Sequence, residues 1–324
     1  MTSLLVTGAS GLLGRSVAEE LLRRGHTVRT FQRRPSGIDG AQDATGSVTE
    51  PADVARALDG VEGVVHLAAR VSLAGDPREF ASVNVGGTSL LLDGARAAGV
   101  SRFVYVSSPS VAHAGVSISG DGALPADPAR ARGEYARTKA EGELLALGAD
   151  GPSLAVVAVR PHLVWGPGDT QLVGRIVDRS RAGRLPLLDH GTALIDSLYL
   201  DNAATGIAQA LERADAVHGN AYVLTNGEPR PVAELLAGIC RAAGVRPPTR
   251  SIPAGLARTA GSVIERAWSL RPGVDEPPMT RFLAEQLSTS HWFDQRRTRR
   301  DLDWTPAVSL DEGFQRLARW YREL

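Results

Sequence analysis

A tyrosine and a lysine stand four residues apart in the segment YARTK, as Tyr135 and Lys139. At the start of a helix, residues four apart lie on one face, so the phenol and the ammonium project together. A phenol with its usual pKa of about 10 exchanges protons poorly at neutral pH. An ammonium beside it stabilises the phenolate and lowers that pKa. The pair is therefore suited to general acid–base chemistry.

Lys139 is also the single lysine of the chain, against 35 arginines. A codon preference for arginine explains the 35 arginines but not the one lysine that is kept. A compact ammonium makes a point contact that the planar guanidinium of arginine does not reproduce. Composition therefore singles out Lys139 for a chemical role.

Two serines precede this helix, at the end of the apolar run VYVSS. In open α/β sheets, ligands bind beyond the carboxyl ends of the strands. A hydroxyl at that edge can donate to a substrate carbonyl and hold it for attack. We favour Ser108 over its neighbour Ser107 for this role. Two ring side chains farther along, His113 and Trp165, are predicted to contact the substrate.

A glycine-rich loop stands near the amino terminus, in TGASGLLG at residues 7–14. Its three glycines allow a tight turn, a close approach to a pyrophosphate and close packing of helix on sheet. The helix that follows offers N–H groups and a partial positive charge to phosphates. The strand–loop–helix context predicts a dinucleotide site formed by Gly8, Ser10, Gly11, Leu12, Leu13 and Gly14.

The end of the second predicted strand bears on the choice of dinucleotide. An NAD site usually carries an acidic residue there for the ribose 2′-hydroxyl. Here the chain has Gln32, Arg33 and Arg34, with no carboxylate. Two guanidiniums can pair with a 2′-phosphate, so the sequence favours NADP(H) over NAD(H). The alternative is that both are ordinary surface arginines of an arginine-rich chain.

The candidate catalytic and cofactor residues can meet only if the fold brings the ends of several strands together. The hydrophobic pattern of the chain predicts such a fold. Up to residue 160, short apolar runs alternate with segments of helical period, which indicates a parallel sheet with crossover helices. Right-handed crossovers make this a doubly wound α/β sheet, the Rossmann fold. Strands are predicted at residues 3–6, 27–31, 63–68, 102–107 and 154–159, with a short segment at 44–48. Helices are predicted at residues 12–24, 52–58, 78–98 and 135–146.

Beyond residue 161 the pattern loosens into helices at 172–182, 203–213, 232–243 and 310–324, with a short strand at 221–225. We predict an NADP(H)-binding domain formed by residues 1–165 and about 196–227. Residues 166–195 and 228–324 then form a smaller, mostly helical substrate-binding lobe. An apolar stripe along residues 252–270 suits core packing, a channel lining or a membrane contact, and core packing is favoured.

Composition excludes several classes of protein. Basic and acidic residues balance at 36 each, so the overall charge gives no reason to expect nucleic acid. No apolar run reaches the ~20 residues that span a bilayer, and no signal peptide begins the chain, so we expect a cytoplasmic protein. No metal is expected, because no cluster of His, Cys, Asp and Glu has ligand spacing. The one cysteine, Cys240, cannot form a disulfide within the chain.

Together these motifs resemble the extended branch of the short-chain dehydrogenase/reductase superfamily. The resemblance covers essentially the whole chain and rests on the order and spacing of TGASGLLG, HLAA, NVGGT, VYVSSPSV, YARTK, RPHLVWGPGD and YLDNAA. It implies Tyr135 as the general acid–base, Lys139 as its pKa modifier and ribose contact, and Ser108 as the hydroxyl that orients the carbonyl. It also implies further residues of the cofactor site: Leu67, Ala68, Ala69, Asn84 and Pro161. The acidic Gly-Asp pair that usually touches adenine is replaced here by Gly46 and Ser47.

Within that branch, residues 166–185, 223–229 and 276–294 resemble the 3β-hydroxysteroid dehydrogenase-like group, and most nearly the bacterial 2-alkyl-3-oxoalkanoate reductases of long-chain olefin biosynthesis. This resemblance implies that NADPH reduces the β-keto group of a lipid-like acid to the β-hydroxy acid. A 3β-hydroxysteroid or sterol dehydrogenase, a nucleotide-sugar epimerase and a non-catalytic NADPH sensor are the alternatives. The superfamily also implies a homodimer. Peripheral contact with a membrane or a pathway enzyme is left open.

Overall fold

The structure is a computed structural model that describes residues 2–72, 75–113, 115–269 and 281–324. Its first part alternates strands and helices. In chain order these are β1 (Ser3–Thr7), α1 (Leu12–Arg23), β2 (Thr27–Gln32), β3 (Gln42–Thr45), α2 (Pro51–Leu58), β4 (Gly63–His66), α3 (Pro77–Phe80), a π-helical turn (Ala81–Gly86), α4 (Gly87–Ala97), β5 (Arg102–Val106), a 3₁₀ turn (Pro109–Ala112), β6 (Ile118–Asp121), α5 (Gly133–Gly148) and β7 (Ala155–Pro161).

The second part has shorter strands and more helices. In chain order these are β8 (Val164–Trp165), α6 (Val173–Arg181), β9 (Leu187–Leu188), a 3₁₀ turn (Asp189–Gly191), β10 (Leu194–Ile195), β11 (Leu198–Tyr199), α7 (Leu200–Glu212), α8 (Ala214–Val217), β12 (Asn220–Leu224), β13 (Arg230–Pro231), α9 (Val232–Ala242), β14 (Ser251–Ile252), α10 (Ala254–Ser269), α11 (Arg281–Ser288), β15 (His291–Phe293), α12 (Arg296–Leu302) and α13 (Leu310–Glu323).

Seven parallel strands form the central sheet, in the order β3–β2–β1–β4–β5–β7–β12. The inner strands β1, β4 and β5 are buried on both faces, and Leu5, Val64 and Phe103 have no exposed surface, whereas the edge strand β3 is largely exposed. Such burial explains why these segments read as continuous apolar runs. The strand order reverses between β1 and β4, which leaves a crevice beyond their carboxyl ends. The predicted fold class, a doubly wound parallel sheet flanked by helices, is confirmed.

The helix predicted at residues 78–98 is interrupted in the structure. A π-helical turn separates α3 from α4 and contains the buried side chain of Asn84. A Cβ at Gly87 would lie 2.9 Å from Val48 Cγ2, so α4 begins in close contact with the segment after β3. Periodicity alone did not predict the break, because a π turn inserts its extra residue without a polar or proline signal.

A second core lies beside the large sheet. It packs α6, α9 and α13 around Trp165, Val177, Ile239 and Leu317. In α10, Ala254 and Ala257 are buried whereas Leu256 is exposed. Residue 270 and the side chains of 263 and 265–269 lie outside the described residues, so the role of the 252–270 stripe stays a prediction. Residues 276–280, which begin the 276–294 resemblance, also lie outside them. Among the described residues, no helix is long and apolar enough to cross a bilayer.

Candidate active site

The glycine loop joins β1 to α1 and is shaped for a close ligand. Gly8 has φ of +76°, and a Cβ there would lie 2.9 Å from the backbone nitrogen of Ala68. A Cβ at Gly14 would overlap the carbonyl oxygen of Gly8. Gly11 precedes α1 as its N-cap and offers no side chain, so the first N–H groups of this 12-residue helix face the loop uncapped. These features fit the pyrophosphate of a dinucleotide.

Replacing Gly14 by Ala is expected to destabilise the protein by about 1–3 kcal/mol, because the new methyl group forces the loop and helix apart. Gly11→Ala is the matched control, since its Cβ would lie 3.5 Å from the Gly8 carbonyl oxygen, an ordinary contact. Urea unfolding of both variants measures the difference. Equal stability of the two proteins would contradict this account of the loop.

The loop after β4 is fixed by a network of buried side chains. Thr7 Oγ1 accepts hydrogen bonds from the backbone nitrogens of Leu67 and Ala68, at 3.1 and 3.0 Å. His66 joins Thr7 through Nδ1 at 2.8 Å and Thr88 through Nε2 at 3.1 Å. Burial lowers the pKa of His66 to about 3, so the ring is neutral and acts as a hydrogen-bonding spacer. The network holds residues 67–69 against the glycine loop.

Asn84 closes this side of the crevice from the π-helical turn. Its Oδ1 accepts from the backbone nitrogen of Arg70 at 2.7 Å. Its Nδ2 donates to Thr138 Oγ1 at 2.9 Å, on the helix that carries Tyr135. Asn84 therefore ties the loop after β4 to α5, and its described hydrogen bonds are made within the protein.

The end of β2 carries the predicted ribose residues. Arg33 and Arg34 are exposed. Gln32 is buried, and its Nε2 donates to Asp43 Oδ1 at 3.0 Å. Its Oε1 is buried and has no hydrogen-bond partner among the described groups. Asp43 reaches this place from β3, which the sequence near β2 did not indicate.

Ser108, Tyr135 and Lys139 come from two neighbouring elements at the carboxyl edge of the sheet. Ser108 follows β5 and caps the 3₁₀ turn, where its Oγ accepts from Ser110 Oγ at 3.0 Å. Tyr135 and Lys139 lie in the first half of α5, as predicted from their spacing. The neighbouring hydroxyl of Ser107 is buried without a partner among the described residues.

The Lys139 ammonium is deeply buried. Its Nζ donates to the carbonyl oxygen of Val106 at 2.6 Å and lies 4.0 Å from the ring centroid of Tyr105. Burial lowers the pKa of Lys139 to about 7, and the carboxylate of Glu143 opposes this shift.

The predicted lowering of the Tyr135 pKa by Lys139 is not found among the residues of this chain. Burial raises the pKa of Tyr135 to about 12, and a hydrogen bond with Ser108 opposes the rise. The physical reason is that desolvation penalises the phenolate more strongly than the groups around it stabilise that anion. Tyr135 is therefore a protonated phenol at neutral pH.

The two residues that are predicted to contact the substrate, Trp165 and His113, have buried side chains. Trp165 has no exposed surface, and its Nε1 donates to Ser197 Oγ at 3.0 Å while its ring stacks on Phe314. His113 is buried and its Nε2 pairs with His291 Nε2 at 2.7 Å. Both side chains are thus enclosed and hydrogen-bonded within the protein, and their contact with the substrate stays a prediction. Pro161 ends β7 at the same sheet edge as Ser108.

Two charged residues of this region were missed by sequence reasoning. Arg160, next to last in β7, and Glu143, in α5, form an ion pair with both side chains buried. The signals were present, since Arg160 ends an otherwise apolar run and Glu143 follows Lys139 by one helical turn. Neither signal shows that the two side chains meet, because that contact depends on how α5 packs against β7.

The fold and the site together define a Rossmann-type dinucleotide-binding protein. Residues 4–225 match the family described as the NAD dependent epimerase/dehydratase family. The chain is also 39% identical over 322 residues to a 2-alkyl-3-oxoalkanoate reductase of Stenotrophomonas maltophilia, an alignment that covers 97% of this chain and 98% of that protein. The chain belongs to the NAD dependent epimerase/dehydratase family, the extended short-chain dehydrogenases/reductases.

One further relative and one solved structure indicate the kind of enzyme found in this family. A 3-beta-hydroxysteroid dehydrogenase of Mycolicibacterium neoaurum is 31% identical over 343 residues, with 99% of this chain and 91% of that protein covered. A solved short-chain dehydrogenase/reductase superfamily protein from Agrobacterium tumefaciens, with bound NAD, has a TM-score of 0.74 at 25% identity and covers 99% of this chain and 97% of its own. The predicted family is confirmed, and with it an oxidoreductase that uses a nicotinamide dinucleotide.

Proposed function

We propose that this protein uses NADPH to reduce the β-keto group of a 2-alkyl-3-oxoalkanoic acid to the β-hydroxy acid. The observation that carries the proposal is the placement of Ser108, Tyr135 and Lys139 at the sheet edge that also holds the glycine loop. The substrate class follows the reductase of S. maltophilia, which aligns with nearly the whole of this chain.

Each side chain has one part in the proposed reaction. Ser108 Oγ accepts from Ser110, and its own proton, which is shared with the Tyr135 phenol in this structure, would turn to the substrate carbonyl when the substrate binds. A reduced nicotinamide, when bound, would supply the hydride that C3 of the substrate receives and would leave a positive charge beside the phenol. As the C=O double bond becomes a C–O single bond, Tyr135 donates its proton to that oxygen. With a pKa of about 12, Tyr135 holds the proton that this step needs.

Lys139 serves the same step without donating the proton itself. An ammonium has three donors, and Val106 takes one of them. The other two are available to a ribose hydroxyl of the cofactor.

The choice of NADPH rests on the exposed guanidiniums at the end of β2. Replacing Arg33 and Arg34 together by Ala is expected to raise the KM for NADPH by about 10–100-fold, because two charge-assisted hydrogen bonds to the 2′-phosphate are lost. The KM for NADH, which has no such phosphate, is expected to change little. Initial rates with each cofactor measure both constants.

Arg322→Ala is the control for this pair, since Arg322 is an exposed arginine of α13. The experiment therefore decides between the two dinucleotides. Wild-type protein that prefers NADH, or a double variant with an unchanged KM for NADPH, would show that NADP(H) is the wrong assignment.

A panel of substrates tests the reaction itself. The oxidation of NADPH is followed in the presence of 2-alkyl-3-oxoalkanoic acids. To test the alternative functions, the same protein is assayed with 3β-hydroxysteroids and NAD(P)+, and with UDP-sugars. The highest kcat/KM is expected for the 2-alkyl-3-oxoalkanoic acids. Faster turnover of a steroid would move the assignment toward the dehydrogenase of M. neoaurum, which is 31% identical to this chain. Cofactor binding without turnover of any substrate would indicate a sensor.

We further propose a cytoplasmic homodimer that takes a lipid-like substrate. The single cysteine, Cys240, is buried and suits a reducing compartment. Leu144 and Leu145 are exposed on α5, the helix that carries the catalytic pair, and offer a second copy an apolar surface.

A further inference from the structure

The buried ion pair of Glu143 and Arg160 lies behind the candidate active site. Arg160 is 2% exposed and Glu143 is 1% exposed. Arg160 Nε donates to Glu143 Oε2 at 2.9 Å, and Arg160 Nη2 donates to the other carboxylate oxygen. The guanidinium and the carboxylate thus meet in the bidentate geometry that fixes both groups most firmly.

Stability alone does not account for this pair. Removing two charges from water is costly, and an apolar pair of similar volume is often at least as stable. Apolar side chains would therefore be sufficient if α5 only had to be fastened to β7. The presence of a charged pair at this place indicates that the charges themselves are used.

A third buried charge lies one helical turn away. Glu143 follows Lys139 by four residues, so both side chains lie on the same face of α5. Lys139 is 2% exposed, and the groups that face it from other elements, the Val106 carbonyl oxygen, the Tyr105 ring and the neutral His66 imidazole, include no anion. Burial lowers the pKa of Lys139, and Glu143 supplies the negative charge that opposes the shift. Glu143 therefore pairs directly with Arg160 and acts on Lys139 through its charge.

Arg160 also holds the chain that leads into α5. Its Nη1 donates to the carbonyl oxygen of Leu124 at 2.6 Å. Leu124 lies between the 3₁₀ turn capped by Ser108 and the start of α5, so one guanidinium fixes both this connection and the Glu143 carboxylate. The connection that leads into α5 and the Glu143 carboxylate are therefore held by the same guanidinium, through two separate contacts.

We propose that Glu143 and Arg160 are positioning residues for Lys139, with Glu143 keeping the ammonium charged and Arg160 holding the Glu143 carboxylate in place. The charge balance between Lys139 and Glu143 is a property of this chain and can be measured without a substrate. Its effect on catalysis rests on the proposed function.

The single lysine allows a direct test. Protein made with lysine that carries carbon-13 at Cε gives one lysine signal, whose shift against pH reports the Lys139 titration. The wild-type midpoint is expected near pH 7. Glu143→Gln removes the carboxylate and is expected to move the midpoint lower by about one pH unit. In the same variant, the alkaline fall of the turnover rate is expected to begin at a correspondingly lower pH, because less Lys139 is cationic there.

Glu141→Gln is the matched control. It removes a carboxylate from the same helix, but Glu141 pairs with Arg137 in a partly exposed ion pair. No change in the Lys139 midpoint is expected. If Glu143→Gln leaves an unpaired guanidinium that prevents folding, the double variant Glu143→Gln with Arg160→Met removes both charges and is expected to keep a midpoint below the wild-type value.

Two results would overturn the proposal. One is an unchanged Lys139 midpoint in a folded protein that lacks the Glu143 carboxylate. The other is an equal shift in Glu141→Gln, which would show a general effect of charge on the helix. If the midpoints move as expected but no carbonyl substrate is reduced, the positioning of Lys139 stands and the proposed function fails.

Discussion

Replacing Tyr135 by Phe is expected to lower the rate of hydride transfer by about 10²–10⁴-fold, the contribution usual for a positioned general acid. The variant removes one hydroxyl and keeps the ring, so the partly buried site on α5 keeps its packing. The alkoxide that forms at the substrate oxygen then has no phenol to protonate it. A single-turnover assay with NADPH and a 2-alkyl-3-oxoalkanoic acid measures the rate of this step directly.

Cofactor affinity separates a chemical effect from a structural one. The glycine loop and the end of β2 lie on elements other than α5, so the Kd for NADPH is expected to change little in Tyr135→Phe. Tyr321→Phe, in α13, removes a hydroxyl from a partly buried tyrosine of the second core and serves as the control. Near-normal turnover by Tyr135→Phe would remove this phenol from the mechanism.

The parts of the site that sequence could predict are those set by local structure. The glycine loop can be predicted from the sequence because tight turns and close backbone approaches require glycine. The structure agrees, since a Cβ added at Gly14 would overlap the Gly8 carbonyl oxygen. The placement of Tyr135 and Lys139 on one face of a helix can be predicted from their spacing, because a helix places residues four apart on the same face. The alternation of strands and helices in the first part of the chain follows from apolar runs separated by segments of helical period.

The parts that sequence did not predict depend on contacts between elements. Whether the Lys139 ammonium points at a phenol or at the Val106 carbonyl is decided by the packing of α5 on β5, and no spacing rule reports it. The raised pKa of Tyr135 has the same origin, because burial is a property of the assembled lobe. Trp165 stood in a glycine- and proline-rich turn typical of a surface, yet the neighbouring helices enclose it completely.

Lys139→Arg is expected to lower kcat/KM by about 10²-fold or more although the positive charge is kept. The ammonium lies 2.6 Å from the Val106 carbonyl oxygen and 4.0 Å from the Tyr105 ring centroid, in a site where the lysine is almost fully buried. A guanidinium is larger and planar, so it must displace α5 or leave the carbonyl. A displacement of about 1 Å in such a site is enough for a loss of this size.

Lys139→Met is the companion variant, because it keeps an unbranched apolar stem and removes the charge. If the ammonium acts through both charge and shape, both variants lose turnover, and thermal unfolding shows that both remain folded. The chain has arginine at its 35 other basic positions. If arginine also functioned at position 139, nothing would explain why this one position is lysine. A wild-type kcat/KM in Lys139→Arg would therefore contradict the role of Lys139. If only Lys139→Arg loses turnover, the loss is explained by the larger size of the guanidinium and not by the charge.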